Sequence, residues 1–290
     1  MLNFNTDSRP RRPAPATRPQ GQPTRGKTAP NRLRRVDNFV TQYDPTLIRR
    51  RDSNFANACF VDLGYGFDPT TTLESATRLR RLNPDLPVLG VEIDSERVTT
   101  AQPFANTRTH FRLGGFNLPL RQHPEGKPET VRLIRAFNVL RQYDEIAVRD
   151  THLTLINQLL PGGLLIEGTS DPFGRLWVAN VIRRTSTGEA KPEALVFSTN
   201  FRWGFEPGLF QPVLPKNFIH RMVPGEAVFE FFNAWKIAYQ EAQPYRSLGL
   251  RQLFAATAHG LSNKGYAINT RKKWLAKGYL IWHVDKTPDY

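Results

Sequence analysis

Residues 59–82, CFVDLGYGFDPTTTLESATRLRRL, join a strand pattern to a helix pattern through a turn that holds two glycines. The apolar run stops at Asp62, and Gly64 and Gly66 follow it. Apolar residues then recur at positions 73, 76, 79 and 82, a spacing that predicts one buried face of a helix. Glycines in such a turn allow positive φ and let a ligand approach the backbone closely. This order of elements is typical of proteins that bind a nucleotide-like ligand where the strand ends.

Strand and helix patterns alternate from residue 58 to residue 168. The predicted strands cover residues 58–63, 87–93, 109–113, 131–137 and 164–168. The predicted helices cover residues 70–82, 94–102 and 144–160, and Pro161-Gly162-Gly163 is expected to stop the last of them. Strands that alternate with helices predict a parallel sheet with crossover helices. We therefore expect an α/β, Rossmann-like, doubly wound fold.

The second half of the chain has a different pattern. Residues 175–184 and 193–201 read as an antiparallel pair, which we expect at the edge of the same sheet. Helices are predicted over 225–240 and near 250–259, and a last strand over 279–284. One folded domain, residues 36–290, is therefore favoured over two. Its cofactor-binding half is expected to be 36–168, and its C-terminal extension, 169–290, to cover the acceptor site.

The net charge of the chain is +14, and it is distributed unevenly. Residues 1–35 hold nine Lys and Arg against one acid, an excess of +8, and they are rich in proline and glycine. Such a segment buries too little apolar surface to offset the entropy of ordering, so a disordered basic tail is predicted. Residues 9–35 could contact nucleic acid non-specifically through phosphate. A merely solubilising tail is the alternative.

Composition excludes several classes of protein. Cys59 is the only cysteine, so neither an internal disulfide nor a cysteine metal cluster is expected, and no spacing of His, Asp or Glu suggests a metal site. No apolar run approaches the ~20 residues of a membrane helix. The first 20 residues lack the apolar core of a secretory signal. The expected compartment is the cytoplasm, with no membrane partner, and the oligomeric state is open.

The residues around the turn favour adenosine without phosphates as the ligand. Glu92 ends the second strand, where its carboxylate can accept hydrogen bonds from two ribose hydroxyls. Asp68 stands near the position of the third glycine of a dinucleotide fingerprint, and an acid there would occupy the helix N–H groups and repel a pyrophosphate. The sequence contains no Gly-x-x-x-x-Gly-Lys loop for ATP. NAD is therefore a weak candidate.

These segments resemble the motifs of class I S-adenosyl-L-methionine (SAM)-dependent methyltransferases, in the correct order over residues 58–168. FVDLGYG is similar to the first motif, GVEID to the ribose-binding acid, RLGGFNLPL to the third-strand motif, and LIRAFNVLRQYDE to the fourth-strand motif. LLPGGLLIEG is similar to the strand that follows a Pro-Gly-Gly turn. The segments RAFNVLRQYDE and LPKNFIHRMVPGE resemble sequences of a mainly actinobacterial branch of this family.

The resemblance implies SAM as the cofactor and assigns roles to single residues. The third-strand motif of the family carries an acid that meets the adenine amine, but Gly115 stands there, so Phe116 would have to serve instead. Arg135, at the fourth strand, is also expected on the cleft. The full set of residues expected to bind the cofactor is Asp62, Gly64, Tyr65, Gly66, Glu92, Ile93, Gly115, Phe116 and Arg135. Asp62 would hold the methionine end, and Ile93 would pack on adenine.

The fourth-strand end is where the family places groups that face the methyl acceptor. This selects Asn138 and Tyr143, and His220 follows a Pro-rich loop that could cover the site. The expected function is methyl transfer from SAM to a small molecule or to RNA. Two alternatives stay open: a non-catalytic, methyltransferase-like module that binds nucleic acid, and, less favoured because of Asp68, an NAD-dependent oxidoreductase.

Overall fold

The computed structural model describes residues 18–122 and 128–284. Eight strands form one sheet in the order β3-β2-β1-β4-β5-β6-β7-β8. The strands are β1 (Cys59–Leu63), β2 (Val88–Glu92), β3 (Thr109–Leu113), β4 (Val131–Phe137), β5 (Leu159–Ser170), β6 (Leu176–Arg184), β7 (Ala190–Thr199) and β8 (Tyr279–Trp282). The helices are α1 (Arg34–Tyr43), α2 (Pro45–Arg49), α3 (Thr70–Leu79), α4 (Ser95–Ala101), α5 (Glu145–Ile156), α6 (Lys216–Ile219), α7 (Ala227–Glu241), α8 (Leu250–Asn263) and α9 (Lys272–Leu275).

Strands β1 to β5 pair in parallel, and β6, β7 and β8 extend the sheet in antiparallel fashion from β5. The predicted Rossmann-like α/β fold with antiparallel edge strands is confirmed. The strand order reverses between β1 and β4, because β1 is followed in sequence by β2 on one side while β4 lies on the other. In open sheets of this type, ligands bind outside the carboxyl ends of the strands at such a switch point.

Helices cover both faces of the sheet. On one face, α1 and α3 pack over an apolar cluster that includes Phe39, Phe60 and Trp177. On the other face, α5 covers the parallel strands, and α7 and α8 cover the antiparallel ones. The cluster under α7 and α8 is rich in aromatic residues: the Phe231 ring stacks on Trp282 with 4.2 Å between ring centroids. Every residue of β1, β2 and β4 is buried, as expected for strands of a parallel sheet that is covered on both faces.

The sequence predicted that the Pro161-Gly162-Gly163 segment separates a helix from a strand. The structure instead contains this segment within a strand. Helix α5 ends earlier, at Ile156, and β5 already begins at Leu159 and runs through this segment. Gly162 has φ +86°, and the pairing of β4 with β5 changes register between Val131 and Leu133. The three residues form an irregularity within a long strand, because a glycine with positive φ allows one.

The N-terminal region is ordered against the sheet further toward the N-terminus than expected. Helix α1 starts at Arg34, and Val36, Phe39 and Val40 are buried in the core. Residues 18–33, which the composition assigns to a disordered tail, lie against the carboxyl ends of the strands. Hydrogen bonds from Asn31 and Arg32 explain this difference. Residues 1–17 of the predicted tail lie outside the described residues.

Within residues 18–122 and 128–284, the structure contains no helix with the length and apolar character needed to cross a membrane.

Candidate functional site

A cleft opens at the switch point, and the glycine turn after β1 forms its floor. Gly64 and Gly66 have φ +70° and +97°, a conformation that residues with a side chain rarely adopt. Gly64 N donates to Val91 O at 2.8 Å, which ties the turn to β2. A Cβ on Gly64 would lie 2.7 Å from the Val139 side chain. The turn therefore requires glycine at both positions, as the sequence indicated.

Glu92 lies beside this turn and is 1% exposed. Its Oε2 accepts a hydrogen bond from Gly66 N at 3.0 Å, and its Oε1 accepts one from Ile93 N at 2.9 Å. The Arg97 guanidinium is 3.7 Å from Oε2. Each carboxylate oxygen has a second lone pair, so the group can still accept from a hydroxyl. The turn and the acid predicted for ribose are thus in direct contact.

Asp62 has its carboxylate in a buried network. Arg135 donates to both of its oxygens, at 3.1 and 2.7 Å, and the Thr72 hydroxyl donates at 2.6 Å. Arg135 also donates to Asp37 of α1 at 2.6 Å. Burial raises the pKa of the Asp37 carboxyl, against the opposing effect of Arg135 and Arg78. The network joins β1, β4 and α1.

Arg135 is 1% exposed and belongs to this network. The prediction put it on the cleft, but its guanidinium lies between two carboxylates under the sheet surface. The position of Arg135 on β4 explains this burial, because Arg135 lies opposite Asp62 of the neighbouring strand β1. The place of Asp62 at the methionine end of a cofactor stays a prediction.

The loop after β3 forms the second wall of the cleft. Phe116 is 8% exposed, and its ring centroid lies 5.2 Å from that of Tyr143. Burial raises the pKa of the Tyr143 hydroxyl. Gly115 adjoins the backbone of Gln20 so closely that a Cβ there would overlap it. The structure brings Glu92, Ile93, Gly115, Phe116 and Tyr143 to the same cleft.

Asn138 lies at the end of β4 with φ +60°. Its Nδ2 donates to the Ser170 hydroxyl at 3.2 Å, and its Oδ1 accepts from Ser170 N at 3.0 Å. Both ends of the amide therefore fasten β4 to β5. A catalytic role for Asn138 stays a prediction, and its structural role is the one that these hydrogen bonds support.

Three aromatic or imidazole side chains lie elsewhere. Tyr65 is buried against Phe111, with ring centroids 5.4 Å apart, so it packs under the turn. Phe67 is 55% exposed, and the Arg97 guanidinium lies over its ring. His220 is exposed and follows α6, which packs against α5. His220 is not among the residues that line the cleft, and its catalytic role stays a prediction.

Residues 18–27, here called the strap, lie across the cleft. Gly21 is itself exposed and adjoins two apolar side chains: a Cβ on Gly21 would lie 3.5 Å from both Ile93 Cδ1 and Phe116 Cε2. With the strap in place, the cavity is about 20 Å³, room for about one water molecule. No sequence pattern indicates a role in the cleft for the strap residues Gln20, Gly21, Gln22 and Thr24, because their composition favours disorder.

The cleft residues fit the adenosine half of SAM in chemistry. The slot between Ile93 and Phe116 suits a flat apolar ring, and the Glu92 carboxylate suits two hydroxyls. Gly64 and Gly66 let a ligand approach the backbone. Strap residues Gln20, Gly21, Gln22 and Thr24 line this same cleft.

No protein-family model matches the chain, and no curated protein matches it in sequence. Among solved structures, it is similar to magnesium protoporphyrin IX methyltransferase from Synechocystis PCC 6803 with bound SAH, at 15% identity and a TM-score of 0.34 over 48% of this chain and 56% of that one. It is similar to the CMeT domain of citrinin polyketide synthase, at 16% identity and a TM-score of 0.36 over 49% of this chain and 36% of that one. It is also similar to LepI in complex with SAM, at 14% identity and a TM-score of 0.29 over 39% of this chain and 27% of that one.

The chain thus spans 27% to 56% of the length of these three structures. Similarity at these identities and TM-scores carries no argument about the function of this chain. The functional argument therefore rests on the topology of the sheet and on the residues of the cleft.

Proposed function

We propose that this protein is a SAM-dependent methyltransferase that acts on a small molecule or on RNA. The observation that carries the proposal is the contact of Glu92 with Gly66 at the switch point, beside the slot between Ile93 and Phe116. This arrangement offers a carboxylate for ribose and an apolar slot for adenine at the place where folds of this type bind ligands.

The N-terminus of α3 supports SAM over NAD. Asp68 Oδ1 accepts a hydrogen bond from Thr70 N at 2.9 Å. A carboxylate that already accepts from the first turn would repel the pyrophosphate that a dinucleotide places there. A cofactor without phosphates meets no such repulsion.

The residues of this chain have three tasks in the proposed reaction. SAM, when bound, supplies a methyl group on a positive sulfur that is already activated for displacement. Glu92 and the turn hold the adenosine half, and the walls of the cleft exclude water and orient the acceptor. Tyr143 is a polar side chain of the cleft whose hydroxyl accepts a hydrogen bond from Gln22 N in this structure, and in the proposed reaction it orients the acceptor by hydrogen bonding.

The acceptor is tested by incubating the protein with methyl-labelled SAM and host extract, and then separating RNA, DNA, protein and small molecules. We expect label in the small-molecule or RNA fraction. The net charge of +14 favours RNA only through non-specific attraction. Glu92→Gln is the control, because label that persists in this variant does not depend on the cleft.

The alternative is a non-catalytic module with a methyltransferase-like fold. The hydrogen bonds of Asn138 to Ser170 favour it, since they leave this side chain a structural role. Binding of SAH without label in any fraction would support this alternative and contradict the enzyme.

A further inference from the structure

The strap is held in the cleft mainly through its main chain. Phe116 N donates to Gln20 O, and Phe67 N donates to Gly26 O, both at 2.8 Å. Asn117 Oδ1 accepts from Gln20 N at 2.7 Å. One backbone hydrogen bond fastens the strap to the loop after β3, a wall of the cleft. The other fastens it to the glycine turn after β1, the floor of the cleft.

Glycines on both sides make this contact possible. A Cβ on Gly66 would lie 2.5 Å from Gly26 O, and a Cβ on Gly26 would lie 2.8 Å from Arg97 Cζ. In the strap itself, Gly21 and Gly26 have φ +133° and +69°. The sequence QGQPTRGK, residues 20–27, therefore places a glycine at both points where the strap enters the cleft most closely.

The strap contributes few side chains to the core. The side chains of Gln22, Arg25 and Lys27 are exposed, so they bury little apolar surface. The anchor follows in sequence: Asn31 N donates to the Glu74 carboxylate at 2.9 Å. Further on, Arg32 bonds to Ser170 and Arg35 to Ser198, which fixes the chain at the other end of the strap.

We propose that the strap is an intramolecular inhibitor that competes with SAM for the cleft, so that the cofactor binds only when residues 18–27 have left it. This inference rests on the proposed function and names the regulation of the same site. Gly21 lies against Ile93 and Phe116, where adenine would bind. Two occupants of one slot exclude each other, so each lowers the apparent affinity of the other.

The test uses titration calorimetry with S-adenosylhomocysteine (SAH), the demethylated product of the cofactor. Gly21→Val together with Gly26→Val, in the full chain, adds side chains at two positive-φ positions and releases the strap. Arg25→Val, at the exposed position between them, is the matched control. We expect the double variant to bind SAH at least about tenfold more tightly than the control, because a closed form that dominates lowers apparent affinity by the open fraction.

Equal affinities of the two variants would overturn the proposal that the strap is an inhibitor, and would leave the proposed function in place. No binding of SAH to either variant, with both folded by circular dichroism, would overturn the proposed function and the strap with it. The two failures are therefore distinguishable.

Amide hydrogen exchange gives a readout that does not depend on affinity. In the wild type without ligand, the Phe67 and Phe116 amides should exchange slowly, and in the double variant they should exchange faster because their acceptors have left. Addition of SAH to the wild type should speed exchange at the Gln20 and Gln22 amides. Strap amides that stay protected with SAH bound would contradict the competition.

Discussion

At the scale of single residues, the structure separates two acids that look alike in sequence. Asp62 is the penultimate residue of β1 and Glu92 the last residue of β2, and both lie near the glycine turn. Glu92 accepts from backbone N–H groups of the cleft, whereas Asp62 forms ion pairs with Arg135 under it. The sequence marks where a strand ends, so it predicts that both acids lie near the turn. The sequence does not predict that Arg135 and Asp37 belong to the network around Asp62, because Asp37 lies on a helix that no motif predicts.

Glu92→Gln tests the ribose assignment. The amide keeps the size of the side chain but removes the charge, so SAH binding should weaken by about 1–3 kcal/mol, the contribution of hydrogen bonds to a charged acceptor. Glu96→Gln, at an exposed position on α4, should change nothing. Calorimetry with SAH measures both, and normal binding by the Glu92 variant would show that ribose is held elsewhere.

Arg135→Met tests the buried network. The substitution leaves Asp37 and Asp62 without their shared cation in the interior, so the free energy of unfolding should fall by about 3–5 kcal/mol. Arg149→Met, on the exposed side of α5, is the control and should be near neutral. Urea denaturation measures the difference. A loss below about 1 kcal/mol would mean that the ion pairs do not stabilise the fold.

At the scale of elements, the parallel strands were predictable because each is a short apolar run closed by turn residues. The antiparallel edge was predictable for the same reason, and helix α7 was predictable because apolar residues recur along it at helical spacing. Helix α1 was not predicted, because it directly follows a basic Pro-rich stretch that was assigned to a disordered tail. The position of Pro161-Gly162-Gly163 was misread, because Pro and Gly usually end an element and here a positive φ at Gly162 lets a strand continue.

Phe39→Ala tests whether α1 is part of the core. The ring is fully buried, and it lies 5.8 Å from Trp177 and 5.6 Å from Trp274 between ring centroids. Its removal should lower the free energy of unfolding by about 3–5 kcal/mol, through lost burial and the cavity left behind. Asn38→Ala, at the exposed neighbouring position, should stay within about 0.5 kcal/mol of wild type. Equal midpoints in urea would show that α1 is detached from the core.

At the scale of the whole molecule, one sheet carries both the cleft at the switch point and the strap that lies across it. Composition predicted residues 1–35 as a single basic tail, yet residues 18–35 divide into a strap, an anchor and the start of α1. Backbone hydrogen bonds hold the strap, side-chain hydrogen bonds of Arg32 and Arg35 hold the anchor, and burial holds α1; composition encodes none of these contacts. The C-terminal half, with its aromatic cluster on β6, β7 and β8, extends the sheet, and its predicted role over the acceptor site stays a prediction.

The central claim is that the cleft at the switch point binds SAM and not a dinucleotide. The most direct test is titration calorimetry of SAH and of NAD into the full chain and into the Gly21→Val/Gly26→Val variant. We predict one SAH site per chain, tighter in the variant, and no measurable heat of NAD binding in either protein. Tighter binding of NAD than of SAH, in either protein, would contradict the claim.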